Sequence, residues 1–116
     1  YAPRVYQNMS AKLRLFFAHH PTAQRNFCNS NYSAASFNFG PATVCLLHKD
    51  SANEPCNFCH ITALGHYNSK TSGQLVLVQY KMIIEFPPGS SVLIPSAIVQ
   101  HGNLPIQVGE DHQSFT

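Results

Sequence analysis

The feature that most constrains this chain is the punctuation of its last two-thirds. From residue 33 onward, short apolar or alternating runs are separated by glycine, proline, asparagine and serine. The runs are 33–39 (SAASFNF), 43–48 (TVCLLH), 58–64 (FCHITAL), 74–79 (QLVLVQ), 81–86 (KMIIEF), 91–94 (SVLI) and 97–101 (AIVQH). Gly40-Pro41, Asn68-Ser69, Pro87-Pro88-Gly89 and Gly102-Asn103 break the chain between or just after them. Runs this short, closed by residues that favour turns, predict the strands of a sandwich or barrel. Residues 4–18 follow another period. Val5, Met9, Leu13 and Phe17 recur every four residues, with Arg4, Lys12 and Arg14 between them. That spacing predicts an amphipathic helix, closed by Pro21, with His19 and His20 in its last turn. The expected class is mainly β with an N-terminal helix, in a single domain over 1–116 with its β core from about residue 33.

Charged residues make up only 10% of the chain, well below the usual quarter or so. This excludes a charged disordered tail and a coiled coil, and points to surface that meets a partner. The formal net charge of +2 is too small to diagnose nucleic-acid binding by itself. No apolar run approaches the ~18 residues of a membrane-spanning helix. The chain begins at Tyr1 without an initiator methionine and stops within an alternating segment. That reads as a piece of a longer polypeptide.

Three groups of residues carry chemical potential. In an extended chain His48 and Asp50 point to one face, so an imidazole and a carboxylate converge. His101, at the end of the run 97–101, supplies a second imidazole. Two histidines and one carboxylate, arriving from two strands, form the facial ligand set of non-haem Fe(II) oxygenases, with other metal positions left open. Cys56-Asn57-Phe58-Cys59-His60 has the C-x-x-C-H spacing of c-type haem attachment. It runs directly into a β-like segment, however, and no second C-x-x-C or H-x3–5-H supports zinc. The expectation is a buried Cys59 on a strand and Cys56 in the loop before it. His60 and His66 read as polar residues of a strand face.

The motifs Phe37-Asn38-Phe39-Gly40-Pro41, Thr43-Val44-Cys45, His48-Lys49-Asp50, Thr62-Ala63-Leu64-Gly65, Ile84-Glu85-Phe86-Pro87-Pro88-Gly89-Ser90, Leu93-Ile94-Pro95-Ser96-Ala97 and His101-Gly102-Asn103 with Pro105-Ile106 together resemble one family. It is the TET/JBP-like Fe(II)- and 2-oxoglutarate-dependent dioxygenases of mushroom-forming fungi, often associated with transposable elements. The resemblance covers nearly the whole chain and is most specific over 84–106. It implies a double-stranded β-helix (jelly-roll) core, Fe(II) held by His48, Asp50 and His101, and 2-oxoglutarate as cosubstrate. It implies oxidation of a methylated base, chiefly 5-methylcytosine, in nucleic acid. DNA is favoured over RNA, in the nucleus. By position, Asn53 faces the base, or else shapes a turn, and His112 and Ser114 meet the cosubstrate. An arginine expected for the far carboxylate of 2-oxoglutarate is replaced by His112, a second arginine expected in the FNFGP-x-TV segment is Ala42, and the expected tryptophan near 58 is Phe58. A guanidinium binds a carboxylate bidentately, whereas an ordinary histidine is mostly uncharged at neutral pH. Arg25 and Lys81 are candidates to replace the lost cation. The alternative implied by these departures is a non-catalytic nucleic-acid- or protein-binding module of the same fold.

Overall fold

The computed structural model describes residues 2–116. The chain divides into two compact units, one ending at Ala35 and the other spanning Ser36–Thr116. In the first, helix α1 spans Pro3–His19. Pro3 stands where its missing N–H costs no helical bond. At the other end the His20 N–H closes on the Phe16 carbonyl at 2.9 Å, just before Pro21. Val5, Met9, Leu13 and Phe17 form the half-buried stripe that their spacing predicts. The following loop folds against this helix: Asn31 Nδ2 donates to the Tyr6 carbonyl at 3.3 Å, and the Arg25 guanidinium lies over the Phe17 ring.

The second unit is built from antiparallel strands in two sheets. One has the order β1-β7-β2-β5, from Phe37–Asn38, Asp111–Phe115, Cys59–His66 and Ser91–Ile94. The other has the order β4-β3-β6, from Met82–Ile84, Leu75–Leu77 and His101–Asn103. Alternation decides which side chains enter the core. Cys59, Ile61 and Ala63 of β2 turn inward with Ile94 of β5 and meet Leu75 and Leu77 of β3. Phe86 and Val99, from the connections, complete the cluster. The mainly β class with one N-terminal helix is therefore observed.

Three strand expectations are corrected. Run 33–39 is reduced to Phe37–Asn38. Run 43–48 forms no ladder of its own; His48 makes an isolated bridge with His101, and Ala42, just before the run, makes one with His112. Run 97–101 is a turn rather than a strand, because the Ile98 and Val99 N–H groups both close on the Pro95 carbonyl, at 3.0 and 2.9 Å. His101 consequently opens β6 instead of ending a strand. A strand absent from the expected runs, β7, is central to its sheet. Its inward residues His112 and Ser114 are polar, so hydrophobic alternation does not mark it.

Glu110 ties the loop before β7 to the loop after β2. Its carboxylate accepts bonds from the Ser72 hydroxyl at 2.5 Å, the Asn68 N–H at 2.8 Å and the Gln107 N–H at 2.9 Å. These donors, the serine first, hold its pKa below the ordinary carboxylate range. A carboxylate favoured in the folded state adds stability that is complete above its unfolded pKa and is lost as pH falls through the folded one. Glu110→Gln is therefore expected to lower the thermal midpoint at pH 7 and to flatten its acid-side decline below about pH 4.5, read by circular-dichroism melts across pH.

Candidate metal centre

His48 and His101 are brought together by the backbone. Each donates its N–H to the other's carbonyl at 2.9 Å, the pattern of a hydrogen-bonded antiparallel pair. Such a pair projects both side chains to one face, and the two rings lie 4.5 Å apart between centroids. The approach depends on Gly102, where a Cβ would come within 2.6 Å of the Cys45 carbonyl oxygen. Asn103 completes the junction. Its Oδ1 accepts the Cys45 N–H at 2.6 Å and its Nδ2 donates to the Thr43 carbonyl at 3.1 Å. The irregular segment up to His48 is thus fastened along β6 without forming a full ladder.

Asp50 is placed by the turn that precedes β6. Its N–H donates to the Ser96 carbonyl at 3.0 Å. Its Oδ1 lies 3.3 Å from His48 Nε2, while its Oδ2 accepts from Asn53 Nδ2 at 3.2 Å. Asn53 Nδ2 also donates to the fully buried Ser96 hydroxyl at 2.9 Å. One ligand atom from each of His48, Asp50 and His101 lies within 4.8 Å of the others. The three predicted ligands therefore converge.

The imidazole tautomers fit a metal. His48 Nδ1 lies 2.7 Å from the Leu46 carbonyl and His101 Nδ1 lies 3.0 Å from the Val99 carbonyl. A carbonyl only accepts, so both Nδ1 atoms carry hydrogen and both Nε2 atoms of the neutral rings carry lone pairs. Such outer bonds fix ring orientation and ligand tautomer in metal sites. A bare Nε2 beside a carboxylate oxygen is repulsive until a cation lies between them. Two thiols stand near without joining the donor set. Burial, and then the Asp50 carboxylate, push the Cys45 thiol up. Burial does the same to Cys59, with Asp50 adding and the Ser96 and Asn53 hydrogen bonds opposing. The donor atoms that converge are two imidazole nitrogens and a carboxylate oxygen, a set compatible with metal binding.

The three groups line a cavity of about 510 Å3. Ile61, Leu75 and Phe86 supply apolar wall, and Asn38, His112 and Ser114 supply polar wall. All the residues named as candidate site residues, His48, Asp50, Asn53, His101, His112 and Ser114, line this one cavity. The two positions lacking the expected arginines are neighbours, since Ala42 bridges His112. Lys49 is the basic residue among the lining side chains. Lys81 is not among the described lining residues. Arg25 Nη2 donates to the Ser30 carbonyl in the first unit, and Lys81 sits at φ 52° in the β3–β4 turn. Cys59 is buried at the start of β2 and Cys56 is exposed before it, as expected.

Sequence spacing missed the carbonyl tethers of the two rings, the Asn53–Ser96 support of Asp50 and the entry of Cys45 into the cavity. No family model, curated protein or solved structure matches the chain. The geometry predicts one divalent-cation site per chain, lost in His101→Ala. Asn53→Ala, which frees Asp50 Oδ2, is expected to weaken the metal about tenfold, as loss of an outer-shell partner typically does. Calorimetric titration of the three proteins with Mn(II) measures both effects.

Proposed function

We propose that this chain is an Fe(II)-dependent dioxygenase that uses a 2-oxo acid such as 2-oxoglutarate and hydroxylates the methyl group of a nucleic-acid base. The observation that carries the reading is the convergence of His48, Asp50 and His101 at a cavity with their metal-binding atoms exposed to one another. The proposed core is a double-stranded β-helix. In support, the bridged segment ending at His48 lies beside β6, as a fourth strand would in a sheet that otherwise has three.

Fe(II) held there supplies the O2-activating redox chemistry needed to hydroxylate an unactivated methyl group. The overall balance consumes O2, the 2-oxo acid and R–CH3, and releases CO2, the shortened acid and R–CH2OH. The chain's residues supply positioning. His48, Asp50 and His101 would hold the ion, and the cavity beside them would admit the cosubstrate. Asn53, itself bonded to the Ser96 hydroxyl, donates to the second oxygen of Asp50 and helps orient the carboxylate. Ile61, Leu75 and Phe86 exclude water from one wall. The cavity volume lies in the usual range for small-molecule sites. A methyl group on a paired base lies in the groove, so the base must leave the stack to enter.

A second reading, a non-catalytic binding module of this fold, is favoured by one observation: the described lining of the cavity contains no arginine. The two readings separate in one assay. Protein loaded with Fe(II) is supplied with methylated DNA, air, and 2-oxoglutarate or shorter 2-oxo acids. The expected products are the hydroxymethyl base and CO2 in equal amounts, both absent in His101→Ala. Tight metal binding without either product, across all the acids, selects the binding module.

A further inference from the structure

The C-x-x-C pair supplies no donor to the metal centre, yet it reaches the support of one ligand. Cys56 and Cys59 are both thiols. Cys56 is exposed in the turn that the Asn57 N–H closes on the Glu54 carbonyl at 3.0 Å. Cys59 is 8% exposed and opens β2, opposite Ile94 of β5. Ser96 follows Ile94 by two residues, and its N–H returns to the Ile94 carbonyl at 2.9 Å. That return brings the buried Ser96 hydroxyl to the Cys59 sulfur, which is hydrogen-bonded by the Ser96 and Asn53 side chains. Asn53 Nδ2 in turn donates to Ser96 Oγ at 2.9 Å and to Asp50 Oδ2 at 3.2 Å. The segment from Asn53 to Cys59 is therefore an arc whose two ends meet at Ser96, beside a metal ligand. An accessible thiol stands in the middle of the arc and a buried one at its end.

Two intervening residues is the spacing of dithiols that interconvert with a disulfide. The bond brings the two sulfurs to about 2 Å. One sulfur cannot both meet Cys56 at that distance and keep its place against Ser96. We propose that Cys56 and Cys59 are a redox switch on the metal centre: their disulfide withdraws the Cys59 sulfur from Ser96 and Asn53 and loosens the hold of Asn53 on Asp50. The inference rests on the reading of His48, Asp50 and His101 as a metal site and adds its regulation. The oxidant is a small-molecule disulfide. The exposed Cys56, as thiolate, attacks one of its sulfurs and releases the first small thiol, which takes up the proton that Cys56 lost. The Cys59 sulfur then attacks Cys56 Sγ and releases the second small thiol, which takes up the Cys59 proton. Two protein thiols and one small disulfide become one protein disulfide and two small thiols, with two electrons passing to the oxidant.

The test equilibrates the whole chain with graded ratios of reduced to oxidised glutathione. An aliquot is trapped with iodoacetamide and the bridge is mapped by peptide mass spectrometry. Mn(II) is titrated calorimetrically into the remaining protein after the glutathione is removed. Oxidation is expected to weaken Mn(II) binding about tenfold, as loss of an outer-shell partner does. Cys56→Ser, an exposed substitution outside the donor set, should bind Mn(II) like the reduced protein and keep that affinity in oxidised glutathione. By linkage, saturating Mn(II) should disfavour the bridge by the same factor, raising its midpoint potential by about 30 mV, the equivalent of tenfold for two electrons. Absence of a Cys56–Cys59 bridge at every ratio overturns the inference. So does a bridge that leaves Mn(II) affinity unchanged, or an affinity loss that persists in Cys56→Ser. Each of these leaves the metal centre standing. Failure of the reduced protein to bind Mn(II) overturns the metal centre and this inference with it.

Discussion

The site rests on one backbone contact, the reciprocal hydrogen bonds between His48 and His101. Each bond contributes only about 1 kcal/mol net. Their importance is geometric: they set two residues distant in sequence side by side on one face. Gly102 permits the approach because its missing Cβ leaves room for the Cys45 carbonyl, and Asn103 secures the same segment with two side-chain bonds. Asp50 follows from the same junction, since its backbone hangs on the turn that feeds β6. A metal ion would then meet donors already arranged, so little ordering cost falls on its binding.

The cavity divides the unit's interior by polarity. On one side are the aliphatic and aromatic groups of the core. On the other are asparagine, serine and histidine side chains that are buried yet mostly paired with backbone groups. Burying polar groups is costly unless they are bonded. The chain meets that condition at Asn103, Ser114 and the two tethered imidazoles, and departs from it at His112 Nε2. The Asp50 carboxylate also acts beyond its oxygens, because it helps keep two nearby thiols protonated.

Much of this was legible in the residues. The four-residue spacing of Val5, Met9, Leu13 and Phe17 marked the helix, and the alternation of Cys59, Ile61 and Ala63 marked β2. The same-face spacing of His48 and Asp50, with His101, marked the donor set. Other parts were hidden for physical reasons. Leu46 and Leu47 make run 43–48 look like a buried strand, yet they are 82% and 51% exposed. The β-branched Ile98 and Val99 favour strands in isolation, but Pro95 starts a turn whose carbonyl captures both of their N–H groups. Strand β7 lacked apolar alternation because its inward face serves a cavity and not the core. The carbonyl tethers that choose the histidine tautomers leave no trace in residue spacing at all.

The turn between Pro95 and His101 separates two kinds of tolerance to change. Ile98 is 51% exposed, and its side chain contributes nothing to the donor set, so its identity is free to drift. The number of residues in the turn is not free. In a strand, inside and outside alternate with each residue, so one deletion before β6 would exchange the two faces of that strand. His101 would swing outward and Gly102 would take its place, without the loss of a single ligand from the sequence. Insertions and deletions in this turn are therefore far more disruptive than substitutions.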